Sequence, residues 1–437
     1  MSKPTLVPPD ATANPVYLTA AAISSLIQAL PSGTAYCIGT VLIVMMTGRL
    51  MHHKGSLARA VLPLVIHLKW GWHRVERAIG RGKCLLEGLF DRAYEWCLTH
   101  LDVEPVRLGC QGREVMALDS STIARPRCQV GKAALLGKGY CHRAGRAVRA
   151  NIVAATVSVV LIRGVRVGLV RRVRFGTSCE AAVSKLFAEL PPSRVARLII
   201  VDAGIATKEQ FAAATAQDAL VGRLRRNCKV RCAPPPPNGK RGRDPIHGPV
   251  LHPGRAKPEV TPDEDLTRPS EAGPIRLRRW NQVHWEGYHQ TPIDVLRGAD
   301  PSYPEPLLVG AMARELATEE LGQAYPHRWP VETLFYIGAE TTATEKPRAW
   351  TEQAVERRIG LGLLSGSLLK AIAAMGEGLA MGPWDKKPQP SAGRLANHLE
   401  IHIDHLSILA LKGVQARNYR KNPKAAQVLD LQLKKAA

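Results

Sequence analysis

Between residues 113 and 224 the chain alternates short runs of Val, Ile, Leu and Ala with amphipathic stretches, in an order few folds can accommodate. Residues 114–118 predict a short strand ending at Asp119, and residues 148–162 and 165–175 predict two longer strands. The turn pair Arg163-Gly164 between those two is the mark of a hairpin. Residues 181–190 then read as a helix closed by Pro191-Pro192, residues 197–201 as an apolar strand ending at Asp202, residues 208–214 as a helix and residues 219–224 as a strand. Three strands, helix, strand, helix, strand make an α/β mixed sheet with helices on its faces.

At 437 residues the chain has room for several such units, on a prior of about 150 residues per domain. Residues 1–105 predict a helical region, with apolar positions recurring at three- and four-residue spacing through Val41, Leu42, Met45, Met46, Leu57, Val61, Leu62, Val65 and Leu68. Arg49, His52, His53, Lys54, Arg59, Arg74, Arg77 and Arg81 are interleaved with them, which suits a DNA-end-binding module as well as a plain bundle. Residues 106–231 form the first part of the core. Residues 232–312 are an insertion that begins with a Pro-, Gly- and charge-rich loop and resumes strand character at 275–285 and 306–311. Residues 313–380 supply the last part of the core, with helices at 325–340 and 351–375, and residues 381–437 read as a basic tail.

Charge narrows the partners. Lys and Arg number 60 against 37 Asp and Glu, a formal net charge of +23. A surplus of that size suits a polyanion, since each cation facing a phosphate releases condensed counterions. From Ser120 to Cys179 there is no acidic residue, while Arg125, Arg127, Lys132, Lys138, Arg143, Arg146, Arg149, Arg163, Arg166, Arg171, Arg172 and Arg174 all fall there. The stretch therefore reads as a surface for phosphate. Nine scattered cysteines argue against a disulfide framework and fit a reducing cytoplasm, and Cys228 and Cys232 lack a second Cys/His pair at zinc spacing. The start lacks a signal-peptide pattern, and the apolar run at 36–47 is too short for a bilayer, which needs roughly 20 residues.

Two carboxylates stand at the ends of predicted strands, Asp119 in VMALDSST and Asp202 in LIIVDAG. Strand ends of an open sheet project side chains into a crevice. Either residue alone also reads as a turn or helix cap. As a pair on one sheet in so basic a chain they favour a hard divalent cation, which takes oxygen ligands. Two-ion phosphoryl chemistry calls for a third carboxylate, and Glu332, near the start of a predicted helix, is placed to supply it.

The set LDSST, IIVDAG and YPHRWPVE resembles the DDE signature of the insertion-sequence-four group of bacterial transposases. That group's third motif is Tyr, two residues, Arg, three residues, Glu, six residues, Lys. Tyr325, Arg328 and Glu332 match its spacing, and the resemblance runs over residues 33–374. It implies a ribonuclease-H-like core, with which the element order is compatible. It also implies Asp119, Asp202 and Glu332 as ligands of two Mg²⁺ or Mn²⁺ ions, and Arg328 with Tyr325 as the groups that position the scissile phosphate. The activity implied is cleavage at element ends and strand transfer, on double-stranded DNA, by a homodimer in the cytoplasm at the nucleoid, with no membrane partner. Two positions depart from the pattern: Ala339 stands where the lysine belongs, and Ile205 where a larger residue is usual. The long gap between Asp202 and Glu332 also fits that group, which often carries a strand-rich insertion there. The resemblance implies an exposed aromatic that stacks on a flipped base, with Trp280 and Trp285, flanked by Arg276, Arg278, Arg279 and His284, as candidates, although a core tryptophan is the commoner reading of either. Two other readings stay open: a decayed or repurposed DNA-binding protein without cleavage activity, and a nuclease or resolvase that cuts without joining. P-loop chemistry is disfavoured, because GxxxxGK[ST] does not occur.

Overall fold

The computed structural model describes residues 14–65, 72–82, 84–125, 135–141, 145–190, 193–235, 245–349, 351–382 and 384–419. Leu68, Arg127, Cys128, Lys132, Arg143, Pro191-Pro192, residues 236–244 of the Pro-rich loop and residues 420–437 of the basic tail lie outside them.

The described residues open with six helices, α1 (Pro15–Ile27), α2 (Ser32–Met46), α3 (Arg49–His52), α4 (Leu57–Val65), α5 (Trp72–Arg81) and α6 (Leu86–His100). Asn14 caps α1, its side chain accepting the Val16 N–H at 2.9 Å. The apolar run at 36–47 is a buried helix as expected, every residue of α2 from Ala35 onward being buried.

Strands β1 (Val103–Pro105), β2 (Arg107–Leu108), β3 (Arg113–Ala124), β4 (Gly137–Cys141), β5 (Arg146–Ile162) and β6 (Val165–Gly176) follow, then α7 (Cys179–Ala188), β7 (Arg197–Val201), α8 (Lys208–Ala213) and β8 (Asp218–Arg223). The expected hairpin is β5–β6, and Arg163 (φ 48°) and Gly164 (φ 79°) both lie in the left-handed region that a two-residue turn of matching twist requires.

After β8 come β9 (Val230–Arg231) and β10 (Val250–Leu251), which pair with each other, while Arg231 also bridges His284. β11 (Glu264–Arg268), β12 (Ile275–Val283), β13 (Ile293–Ala299) and β14 (Leu307–Ala311) come next. Helices α9 (Thr318–Ala324), α10 (Trp329–Glu340), α11 (Glu352–Met375), α12 (Ala392–Ile401) and α13 (Ile403–Tyr419) complete the described chain, with a short 3₁₀ turn (Tyr325–Arg328) between α9 and α10.

Twelve strands form one mixed sheet. Its main path runs β1-β5-β3-β7-β8-β14-β13-β12-β11, with β6 and β4 also on β5 and β2 on β3. Strands β3, β7 and β8 are parallel, while β5 is antiparallel to both β3 and β6. The insertion does not form a separate unit: β14 pairs antiparallel with β8 and extends the same sheet as a meander. Strands β11 and β13 lay within segments the sequence left without a strand assignment. EDLTR in β11 is an edge strand with alternating exposure, a weak apolar signal.

Alternation along the strands divides the interior in two. Val115 and Ala117 of β3, with Leu198 and Ile200 of β7, face a core shared with α1, α2, α6 and α11. Leu118, Ile199 and Val201 face a second core, under α7 and α8, that reaches Trp280, Ile293 and Leu308 in the meander. Residues 381–437, expected as a basic tail, contain α12 and α13 instead. Leu395, Leu399, Leu406 and Leu411 are buried there, packed in the same core as α1 and α2. Helix α11 is long and apolar enough by length and composition to cross a membrane, but 83 % of its most apolar window is buried inside the fold.

Part of the basic stretch has a structural role the sequence did not reveal. Arg172 makes a two-pronged pair with Asp91 of α6 (2.8 and 3.1 Å), and Arg171 reaches the same carboxylate at 3.3 Å while lying over the Tyr94 ring. Arg174 bridges Glu87 (2.9 Å) and Glu189 (2.5 Å). These three arginines tie β6 to α6 and to the end of α7, so their charge meets carboxylates of this chain and not phosphate.

Candidate active site

Asp119 sits inside β3. The sequence placed it at a strand end, but the strand runs on to Ala124 because Thr122 and Ile123 are good strand formers that pair with Ile152 and Asn151 of β5. Its position is still marked by the sheet. The β3–β7 ladder ends at Ala117↔Ile200, and two residues further along each chain stand Asp119 and Asp202. A two-residue step preserves the face, so both belong to the side on which α10 and α11 pack. The geometry of adjacent parallel strands, about 4.8 Å apart, therefore brings the two carboxylates together from segments 83 positions apart in sequence.

Glu332 arrives from the other layer. The 3₁₀ turn Tyr325–Arg328 leads into α10, with Pro330 at the second helical position, where its missing N–H costs nothing. Glu332 lies in the first turn, favoured by the positive end of the helix. Tyr325, Arg328 and Glu332 are spaced three and four apart and share one face.

Arg328 connects the set. The residue is 6 % exposed, and its guanidinium donates to Asp119 Oδ2 at 2.8 Å and forms a second ion pair with Glu332 Oε1. Its Nε donates to the Tyr325 hydroxyl at 3.2 Å, and that hydroxyl donates to Asp202 Oδ1 at 2.7 Å. Two oxygens bonded to one guanidinium stand within roughly 8 Å of each other, two hydrogen-bond lengths plus the width of the fork. The five residues singled out from the sequence motifs are thus one hydrogen-bonded cluster. Among the described residues no three His, Cys, Asp or Glu side chains are gathered closely enough to hold a metal ion as they stand, because the guanidinium lies between Asp119 and Glu332.

The electrostatics are uneven. Burial pushes the Asp119 carboxyl up to about 6. The Ser120 N–H and Arg328 oppose the shift, and the nearby charges of Asp202 and Glu332 add to it. Burial would raise Asp202 as well, but the Tyr325 hydroxyl, the Ala203 N–H, Arg328 and Arg223 together hold it below the usual aspartate range. His327 is buried, and burial with Arg166 nearby lowers its pKa to about 4, so its ring is neutral at physiological pH and packs inside the fold.

The Asp119 shift has a consequence for stability. Its pKa is higher folded than unfolded, so as pH rises the unfolded chain releases this proton first, and stability falls between about pH 4 and pH 6 and stays reduced above. In metal-free buffer Asp119→Asn is expected to be more stable than the parent at pH 7.5 by about 2 kcal/mol, roughly two pKa units discounted for partial exposure, with the advantage vanishing near pH 4. Chemical denaturation at the two pH values measures this, and an advantage independent of pH refutes it.

The aromatic candidates fare differently. Trp280 is 1 % exposed, its indole N–H donates to the Val260 carbonyl at 3.0 Å, and it fills the core under the meander. It has no free face for a base. Trp285 is half-buried against Phe211, ring centroids 5.2 Å apart. Trp280→Ala should cost about 3–5 kcal/mol of stability as a cavity in the core, read by urea titration; a loss under 1 kcal/mol contradicts this placement. The exposed aromatic beside the cluster is Trp329, 58 % exposed and adjacent to Arg328. The sequence carried the signal: buried Val331, Leu334 and Ile337 define one face of α10, leaving Trp329, Thr333, Tyr336 and Glu340 on the other.

Compared with known protein families and with curated proteins, the chain matches none.

Proposed function

We propose that the chain is a DDE-type DNA transposase, similar to the insertion-sequence-four group, that cleaves element ends and joins them to target DNA. The observation that carries this reading is the convergence of Asp119, Asp202 and Glu332, from three distant segments, on one network with Arg328 and Tyr325. The order β6-β5-β3-β7-β8, with β5 alone antiparallel, supports a ribonuclease-H-like core. The extension of that sheet by β14 to β11 supports a strand-rich insertion before the last carboxylate.

The donor set suits the implied ions, since three carboxylates offer only hard oxygen ligands, fitting Mg²⁺ or Mn²⁺. Asp119, Asp202 and Glu332 would hold them. Bound there, such ions polarise the attacking and leaving oxygens of a phosphodiester. The chain's own groups do the rest. Tyr325 keeps Asp202 oriented and ionised, and Arg328 presents a planar two-pronged donor that can turn from its carboxylates to the non-bridging oxygens of a phosphate. DNA ends brought together in pairs call for two copies of the chain, hence a homodimer on duplex DNA.

The reading is tested with duplexes carrying the sequences that flank the coding gene, incubated with Mg²⁺ or Mn²⁺. Nicking followed by joining of the new 3′ hydroxyl to a second duplex is expected; nicking without joining indicates a nuclease or resolvase. One observation favours a decayed DNA-binding protein. Ala339, which replaces the group's lysine, is buried, and the next lysine, Lys346, directs its amino group at Met51 Sδ (3.3 Å). Duplex binding without nicking in either metal would favour that reading.

A further inference from the structure

The ribbon that β4 forms with residues 146–149 at the start of β5 belongs neither to the carboxylate cluster nor to the two buried cores. Its sequence, GKGYC, alternates strictly: Gly137, Gly139 and Cys141 are half-buried, while Lys138 and Tyr140 are exposed. The reason is close packing beneath it. A Cβ on Gly139 would lie 2.8 Å from the Thr122 side chain, and one on Gly137 would lie 2.1 Å from the Thr177 carbonyl, so only glycine allows β4 to press against these neighbours. Thr122 is three residues past Asp119 on β3. The ribbon therefore lies on the order of 10 Å from the carboxylates, about three strand residues.

Its outward face has one chemistry. Lys138 is paired in register with Arg149 and Tyr140 with Ala147, all four exposed on this face, and Arg146, paired with Cys141 on the other face, is exposed at the start of β5. Opposite the small Ala147, the Tyr140 ring is 55 % exposed. The stretch 120–179 contains no Asp or Glu, so the ribbon has no carboxylate of its own. A ribbon with three cations and one aromatic, set beside the carboxylate cluster, complements a polyanion that passes through that cluster.

We propose that the outward face of β4–β5 is a docking surface for duplex DNA flanking the scissile phosphate, about three base pairs away at 3.4 Å per pair. Lys138 and Arg149 on that face, with Arg146 at the edge of the ribbon, neutralise backbone phosphates, and Tyr140 packs its ring on a deoxyribose edge with its hydroxyl toward the same strand. The proposal rests on the DNA-processing reading above and names a contact which that reading does not require.

The test is the salt dependence of binding to a labelled duplex in EDTA, read by fluorescence anisotropy. Removing three phosphate contacts in the Lys138→Ala/Arg146→Ala/Arg149→Ala variant should flatten the slope of log K against log salt by about 2.7 and weaken binding at least about tenfold at 0.1 M salt. Tyr140→Ala should weaken binding several-fold with the slope unchanged, since it removes no charge. Circular dichroism confirms folding; if the triple variant does not fold, Lys138→Gln and Arg146→Gln singly should each flatten the slope by about 0.9. Parental slopes in all variants overturn the proposal. So does an equal loss from Arg255→Ala/Lys257→Ala on the remote insertion, or a slope change seen with single-stranded RNA and not with duplex DNA. Because no metal is present, the outcomes separate: nicking with an unaltered slope defeats the docking surface alone, and an altered slope without nicking defeats the catalytic reading alone.

Discussion

Asp202→Asn, Asp119→Asn and Glu332→Gln are each expected to reduce metal-dependent nicking by at least about 10³-fold, a loss of roughly 4 kcal/mol of transition-state stabilisation. The amides keep the volume and much of the hydrogen bonding of the acids, so the fold survives. What they lose is a negative hard donor. Asp202 should be the most sensitive, because the Tyr325 hydroxyl and the Ala203 N–H keep it ionised and fixed, and an amide at that position brings no charge. Duplex affinity should stay within a few-fold, since taking one negative charge from a cluster that faces phosphate weakens nothing that binds DNA. Single-turnover nicking assays and anisotropy on the same preparations measure the two quantities. A variant that nicks at the parental rate would remove its residue from the site, and parental rates in all three would remove the site itself.

How far the site could be read from sequence depends on which distances matter. The carboxylates were legible because local signals fix each one. Apolar runs end near Asp119 and Asp202, and Tyr325, Arg328 and Glu332 repeat at helical spacing. The sheet register then aligns the two aspartates. What was not legible depends on pairing between remote segments. The continuation of β3 past Asp119 is decided by its partner β5, whose long ladder stabilises Ser120 to Ala124 as strand. The burial of Trp280, the commoner expectation for such a residue, is decided by β13 and the loop around Val260 and not by the arginines that flank it. One of these, Arg279, is itself buried and paired with Asp294 at 2.5 Å. The roles of Arg171, Arg172 and Arg174 depend on α6, about 80 residues upstream in sequence. Helices α12 and α13 were missed for a different reason: the cations at 417–424 mark the whole segment as basic, and Leu395, Leu399, Leu406 and Leu411 gain meaning only against α1 and α2.

Arg328→Ala should destabilise the metal-free protein at pH 7.5 by about 3–5 kcal/mol, the range for removing one partner of a buried ion pair. The guanidinium is the cation on which Asp119 and Glu332 converge, and without it two carboxylates with Asp202 nearby face one another in a site where burial already raises Asp119 to about 6. The loss should shrink toward pH 4, because Asp119, raised to about 6, is protonated there and no longer repels its neighbours, and it should shrink at pH 7.5 when Mn²⁺ is added, because a divalent ion replaces the missing charge. Arg328→Lys separates charge from shape: an ammonium restores attraction to one carboxylate but cannot bridge both, so it should recover part of the stability and little of the nicking. Denaturant titrations of the three proteins, with and without Mn²⁺ and at both pH values, decide the matter. A loss that is independent of pH and indifferent to the metal would mean that Arg328 contributes packing alone. A loss relieved by either proton or metal would mean that the arginine holds the carboxylates in place until a metal ion takes over their charge.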